Sequence, residues 1–118
     1  MYRKRDFSLV GEKVILVPYC QLHVDKYHQW MMDPTLRELT ASEPLSIEQE
    51  HEMQRKWYLD DDKCTFIVLE KQQYDQEMSS EKDCMVGDVN LFFNMPQNYA
   101  AEVDIMIPAA LYPFILSA

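Results

Sequence analysis

Only two glycines, Gly11 and Gly87, occur in 118 residues, and no lysine or arginine follows Lys82. A loop that wraps a phosphate needs glycine for close backbone approach and a cation or free N–H groups to meet its charge. The sequence after Gly87 offers no such loop. Cysteine is scarce too: Cys20, Cys64 and Cys84 are odd in number, far apart and without metal-ligand spacing. That suits reduced thiols in a cytoplasmic protein better than a disulfide framework. A nucleophilic cysteine would need a histidine partner, which sequence alone cannot place beside it, and all three are read as ordinary buried or half-buried thiols. No apolar stretch approaches the roughly 18 residues of a spanning helix. Val14-Ile15-Leu16-Val17 ends at Pro18, too short for a signal-peptide core as well. Neither membrane insertion nor secretion is expected.

Positive charge is also in deficit. Lys and Arg number 11 against 20 Asp and Glu, a net charge of -9. Neutralising phosphates requires the opposite balance, so DNA and RNA are excluded as expected partners. The cluster Arg3-Lys4-Arg5, followed by Asp6, reads as part of a solvated tail over residues 1–10. With 47% hydrophobic residues, the remainder has material for one core and therefore one domain or part of one.

The periodicity alternates. Lys13 to Tyr19 is β-branched and apolar and predicts a strand. Val24, Tyr27 and Met31 recur at helical spacing within Leu22 to Met32. Asp33-Pro34 is a cap followed by a proline at the first helical position, predicting a short helix through Leu39. Ser46 with Gln49 three residues on is a capping box, with Glu48 and Glu50 in the first turn and Arg55 and Lys56 near the end; it predicts a helix over Ile47 to Leu59. Asp60-Asp61-Asp62 is read as a solvated loop rather than a metal site, because adjacent aspartates diverge and lack the spacing of a calcium loop. Cys64 to Leu69, Met85 to Phe93 and Tyr99 to Ile107 predict further strands, Lys71 to Asp83 a polar surface connection, and Asn94 to Asn98 a turn. Gly87 suggests a bulge or a close backbone approach. Helices between the first two of about four mostly antiparallel strands define an α+β fold.

Certain blocks carry a resemblance. Gly11 to Tyr19, His23 to Trp30, Thr40 to Ser46, Asp62 to Leu69 and Cys84 to Phe92 resemble, in that order, the N-acetyltransferase 9 branch of the GNAT superfamily. The similarity runs roughly from Gly11 to Ile107. It implies transfer of acetyl from acetyl-CoA to a protein or peptide amine. It also implies that the strand matched by Ala101 to Ile107 presents exposed backbone, here Ile105, Met106 and Ile107, to the pantetheine arm. In such proteins a glycine-rich loop follows and leads into a helix whose N-terminus receives the pyrophosphate. Pro108 to Ala118 holds two prolines, no glycine and no cation instead. The expectation is therefore a partial GNAT domain over 11–107 with a divergent apolar tail over 108–118. The chain is then expected to be weakly active or inactive, or else a truncated non-catalytic product that binds a protein partner or does not fold stably.

Glu102 matches a family glutamate and is the candidate base toward the incoming amine, with a polar position on an exposed sheet face as the alternative. Asp104 shares its face by the period of two. Asp88 and Asn90 alternate with apolar neighbours, and either line a substrate groove or meet solvent. Thr40, Ser42 and Glu43 belong to a segment that shapes the acceptor site in relatives, or serve as a plain helix connection. His23, His28 and His51 are read as packing or surface residues, and Tyr27, Trp30, Trp57 and Tyr58 as core aromatics.

Overall fold

The computed structural model describes residues 8–75, 80–95 and 100–108. The β-branched run beginning at Val14 forms a strand, Val14–Pro18, and a two-residue strand, Leu9–Val10, folds back on it with Leu9 opposite Leu16 and Val10 opposite Ile15. We number these β2 and β1. The Gly11 N–H donates to the Val14 carbonyl at 2.9 Å and closes the turn between them. Sequence patterning passed over β1 and placed it in the tail, since two residues cannot show an alternation.

Three helices follow, and side-chain caps start the second and third. A single 3-10 turn, Gln21–His23, leads into α1, Val24–Trp30. The Asp33 side chain accepts the Thr35 N–H at 2.9 Å and, with Pro34 in the first turn, starts α2, Pro34–Leu39. Ser46 Oγ accepts the Gln49 N–H at 3.2 Å while Gln49 Oε1 accepts the Ser46 N–H at 2.8 Å, the reciprocal bonds that open α3, Ile47–Leu59. Strand β3 is Lys63–Glu70, and the polar connection after it includes a one-turn helix α4, Lys71–Tyr74. Strands β4, Met85–Met95, and β5, Ala100–Met106, complete the chain order. Of the expected turn Asn94 to Asn98, Asn94 and Met95 instead extend β4; residues 96–98, and Tyr99 of the expected last strand, lie outside the described residues.

The five strands form one sheet in the order β1-β2-β3-β4-β5, every neighbouring pair antiparallel. This is the expected α+β class with one short strand more. Directly opposed residues share a face. On one face Ile15, Ile67, Leu69, Met85 and Met106 pack against Val24, Tyr27, Met31 and Leu36 of α1 and α2, with Ile47 and Trp57 of α3 at the margin. Among the described residues no helix is long and apolar enough to cross a membrane.

Gly87 shows both features anticipated for it. The β3–β4 register shifts where Val68 opposes Gly87 and Leu69 opposes Met85, so Val86 is the additional residue of a bulge. A Cβ on Gly87 would stand 2.4 Å from the Met106 carbonyl oxygen and 3.1 Å from Ile107 Cγ1. The close approach sets how the end of β5 lies on β4. Gly87→Ala should lower stability by about 1–3 kcal/mol, the usual range for overpacking; an unchanged urea midpoint would show that this end of β5 yields freely.

Candidate functional site

The chain reverses after α2 through a strained residue. Ala41 has φ 52°, the left-handed region, which costs a non-glycine residue about 1 kcal/mol. Local hydrogen bonds hold it there: Ser42 N–H donates to the Arg37 carbonyl at 2.8 Å, Thr40 Oγ1 to the Leu36 carbonyl at 2.8 Å, and the Thr40 and Ser42 hydroxyls lie 2.8 Å apart. The reversal turns Thr40, Ala41 and Ser42 toward the sheet. Between them and strands β4 and β5 is a cavity of about 470 Å³. Tyr27 and Trp57 wall it from the helices, and Lys63, Asp88, Asn90 and Asp104 from the sheet.

Strand register explains the polar wall. Asp88 lies opposite Met106, Asn90 opposite Asp104, and Phe92 opposite Glu102, so these six residues share the helix-covered face. Coverage is uneven along it. Asp88 is 1% exposed, whereas Glu102 and Asp104 are exposed. The solvent alternative for Asp88 is thereby corrected: strand alternation marks the face, but α1 and the loop above decide which part of it is dry. Asn90 Oδ1 accepts the Thr65 hydroxyl at 2.7 Å. Both Asp88 oxygens lack a hydrogen-bond partner among the described residues.

Burial pushes the Asp88 carboxyl up to about 6. Tyr27, Asn90 and Lys63 counter this in part, and the Asp104 charge adds to it. Tyr27 and Asn90 therefore stand near enough to favour the carboxylate without completing hydrogen bonds of ordinary geometry to it. A second acid lies deeper. Glu50 is 2% exposed and raised by burial, with His28 Nδ1 3.7 Å from its Oε1 offsetting part of the effect. Burial together with the Glu50 and Asp88 charges raises Tyr19 and Tyr27, which stay neutral phenols.

Sequence reasoning placed Glu50 only in the first turn of α3 and missed its burial. The signal was present: Ile47, Glu50, Gln54 and Trp57 form one helical stripe, and two of them are apolar. Gln54 is satisfied by donating to the Tyr19 carbonyl at 3.1 Å. The aromatic residues also proved more than packing, since Tyr27 and Trp57 line the cavity. Cys20 and His23 were likewise read apart. They form the ends of a one-turn capping box, with the Cys20 N–H donating to His23 Nδ1 at 3.0 Å and Sγ 3.5 Å from the same atom. His23 Nε2 meets Glu81 Oε1 at 2.8 Å. Burial raises the Cys20 thiol above its ordinary value, so the contact is a cap and does not generate a thiolate. The Cys-x-x-His spacing across a helix start was the available clue.

Of the anticipated site residues, Thr40, Ser42, Asp88, Asn90, Ile105 and Met106 line the cavity together with Asp104. Glu102 and Glu43 are exposed and are not among its lining residues. Ile107 is half-buried beside Gly87. Strand β5 has no second neighbouring strand among the described residues, which leaves one edge of its peptide groups unpaired by the sheet. No group of His, Cys, Asp and Glu among the described residues is arranged to hold a metal ion.

No family model matches the chain. It is 52% identical over 103 residues to an N-acetyltransferase 9-like protein of Nematostella vectensis, covering 86% of this chain and 52% of that protein. It is 50% identical over 114 residues to the alpha/beta-tubulin-N-acetyltransferase 9 of Mus musculus, covering 95% of this chain and 47% of that one. Its fold matches the spermidine N-acetyltransferase of Vibrio cholerae, solved with CoA and spermine, at TM-score 0.67 over 86% of this chain and 54% of that chain, with 18% sequence identity. The architecture is that of the GNAT acetyltransferases. Within that superfamily the chain belongs with the N-acetyltransferase 9 proteins, and it spans about half the length of the curated relatives it matches.

The raised Asp88 pKa has a stability consequence of definite sign. The unfolded carboxyl, near 3.8, loses its proton more easily than the folded one near 6, so Asp88 burdens the fold progressively as pH rises from 4 through 6. At neutral pH the burden is on the order of 3 kcal/mol, at 1.36 kcal/mol per pH unit. Asp88→Asn should therefore be more stable than the parent at pH 7 and lose most of that advantage at pH 4. Parallel urea melts at the two pH values measure it; equal differences at both would refute a buried, titrating carboxyl.

Proposed function

We propose that this chain takes part in acetyl transfer from acetyl-CoA to a protein or peptide amine, and that the cavity beneath Thr40–Ser42 receives the acceptor. The observation that carries this reading is Asp88: a buried carboxyl whose oxygens make no hydrogen bond of full geometry among the described residues, lining a cavity large enough for a terminal residue. An ammonium ion supplies the hydrogen bonds the carboxylate lacks. Asp88 then takes a proton from it, leaving a neutral amine lone pair to attack the thioester carbonyl; the thiol leaves with a proton. A base near 6 lies about 2 units below an α-amine but about 4 below a lysine amine, so an N-terminal amine is the better-matched acceptor.

On the donor side, the unpaired edge of β5 at Ile105, Met106 and Ile107 suits the amide groups of a pantetheine arm. The sequence from Pro108 to Ala118 brings neither glycine nor cation to a pyrophosphate. The odd number and wide spacing of Cys20, Cys64 and Cys84 support a cytoplasmic setting, and the acidic balance argues against nucleic acids as partners.

With radiolabelled acetyl-CoA, a peptide carrying a free N-terminus should be acetylated faster than its N-blocked, lysine-containing counterpart. Asp88→Asn should slow that reaction about a hundredfold, the lower range for a general base. A rate unaffected by the substitution would remove Asp88 from the chemistry.

A further inference from the structure

Strand β5 is open along its face as well as along its edge. Val103 lies opposite Leu91 and Ile105 opposite Val89, which puts both on the face of the sheet away from the helices. There Val103 is 52% exposed and Ile105 65% exposed. The Met106 carbonyl points at Gly87 of β4. Peptide groups alternate in direction along a strand, so the N–H and C=O groups of Val103, Ile105 and the following Ile107 point to the open side. An exposed apolar row beside an unpaired ladder of donors and acceptors is a template for one more strand. The sheet's other edge, β1, is two residues long and offers no comparable ladder.

We propose that β5 pairs antiparallel with β5 of a second copy of this chain, across a two-fold axis at Ile105, joining the two sheets into one. A two-fold contact closes on itself, whereas β1 against β5 would propagate without end. Register selects the axis, because like charges directly opposed destabilise a strand pair. An axis at Glu102 or Asp104 sets that carboxylate against its own copy, and one at Val103 sets Glu102 against Asp104. An axis at Met106, the last residue of the strand, shortens the overlap. With the axis at Ile105, that residue faces its own copy, Val103 faces Ile107, and Asp104 faces Met106. No carboxylate then lies directly opposite another, and the two apolar rows become one. The outward groups of Val103, Ile105 and Ile107 exchange about six hydrogen bonds. So short a strand contact buries less area than a permanent dimer needs, which makes the association weak and reversible. Pairing also occupies the backbone offered to the pantetheine arm. On the acetyl-transfer reading, a paired chain has no open donor edge and acetyl-CoA competes with the second copy; the pairing itself does not rest on that reading.

Cysteine crosslinking reads the register. Across a hydrogen-bonded antiparallel pair the Cα atoms stand about 5.5 Å apart, within disulfide reach. Under mild oxidation Ile105→Cys should form a covalent dimer about tenfold faster than Val103→Cys, whose counterpart across the axis is Ile107, and about tenfold faster than the parent with its own cysteines. In sedimentation equilibrium the parent should pass from monomer to dimer as its concentration rises, with no larger species. Ile105→Pro removes an N–H directed away from β4, a position where an edge strand tolerates proline, and should weaken the dimer about tenfold while keeping the parent's circular dichroism. A parent that stays monomeric at millimolar concentration overturns the pairing. So does Val103→Cys crosslinking as fast as Ile105→Cys, or a series of open-ended oligomers. Saturating acetyl-CoA should return the parent to monomer. A dimer that acetyl-CoA leaves intact removes the donor role of this edge alone, and a strict monomer that binds acetyl-CoA removes the pairing alone.

Discussion

A buried carboxyl group with no hydrogen bond of full geometry among the described residues, that of Asp88, is the constraint around which the candidate site is arranged. Nearly all buried polar atoms in proteins find partners, and those that do not are expensive to keep. Asp88 is held in that condition from several directions. Bulged strand β4 sets its position, Gly87 admits the Met106 carbonyl that brings β5 alongside, and Tyr27 of α1 covers it from the helical layer. Substituting an apolar residue would remove the cost, yet the chain carries an aspartate. A ligand that brings donors into the cavity converts the same group from a burden into a binding contact. That is the physical basis for reading the cavity as a site for an amine.

Much of the framework was legible in the sequence because it depends on neighbours in the chain. Asp33-Pro34 and the Ser46–Gln49 pair mark helix starts whose bonds close within three residues, and the structure begins α2 and α3 there. Gly87 could be singled out because its sequence neighbours alternate as a strand. The site itself was legible only as a face. Period-two alternation puts Asp88, Asn90, Glu102 and Asp104 on one side of the sheet, but what covers each residue depends on α1, on α3 and on the left-handed turn at Ala41. Local pattern carries no information about that covering. The family resemblance pointed to Glu102 as base, whereas the proposal for Asp88 draws on its burial, which no local pattern shows. Glu50 was missed for a related reason: a charged residue was assigned to solvent although its helical stripe runs through Ile47 and Trp57.

The two halves of the proposed reaction are unequally represented. The acceptor side draws on α1, the loop after α2, α3 and three strands. The donor side consists of the backbone at the end of β5, in a chain spanning about half the length of its curated relatives. The Gly87 contact links the halves, because the approach that fixes β5 on β4 also fixes Met106 opposite Asp88. An amine at Asp88 and a thioester along β5 would then be held by the same pair of strands, and positioning of that kind supplies much of the barrier reduction in a group transfer.

The most direct measurement is a carbon-13 NMR titration of the Asp88 side-chain carboxyl, alone and with a saturating alkylamine. The account predicts a midpoint near 6 in the free protein, moving toward lower pH when the ammonium ion pairs with the carboxylate. A midpoint close to 4 that is insensitive to the amine would contradict it.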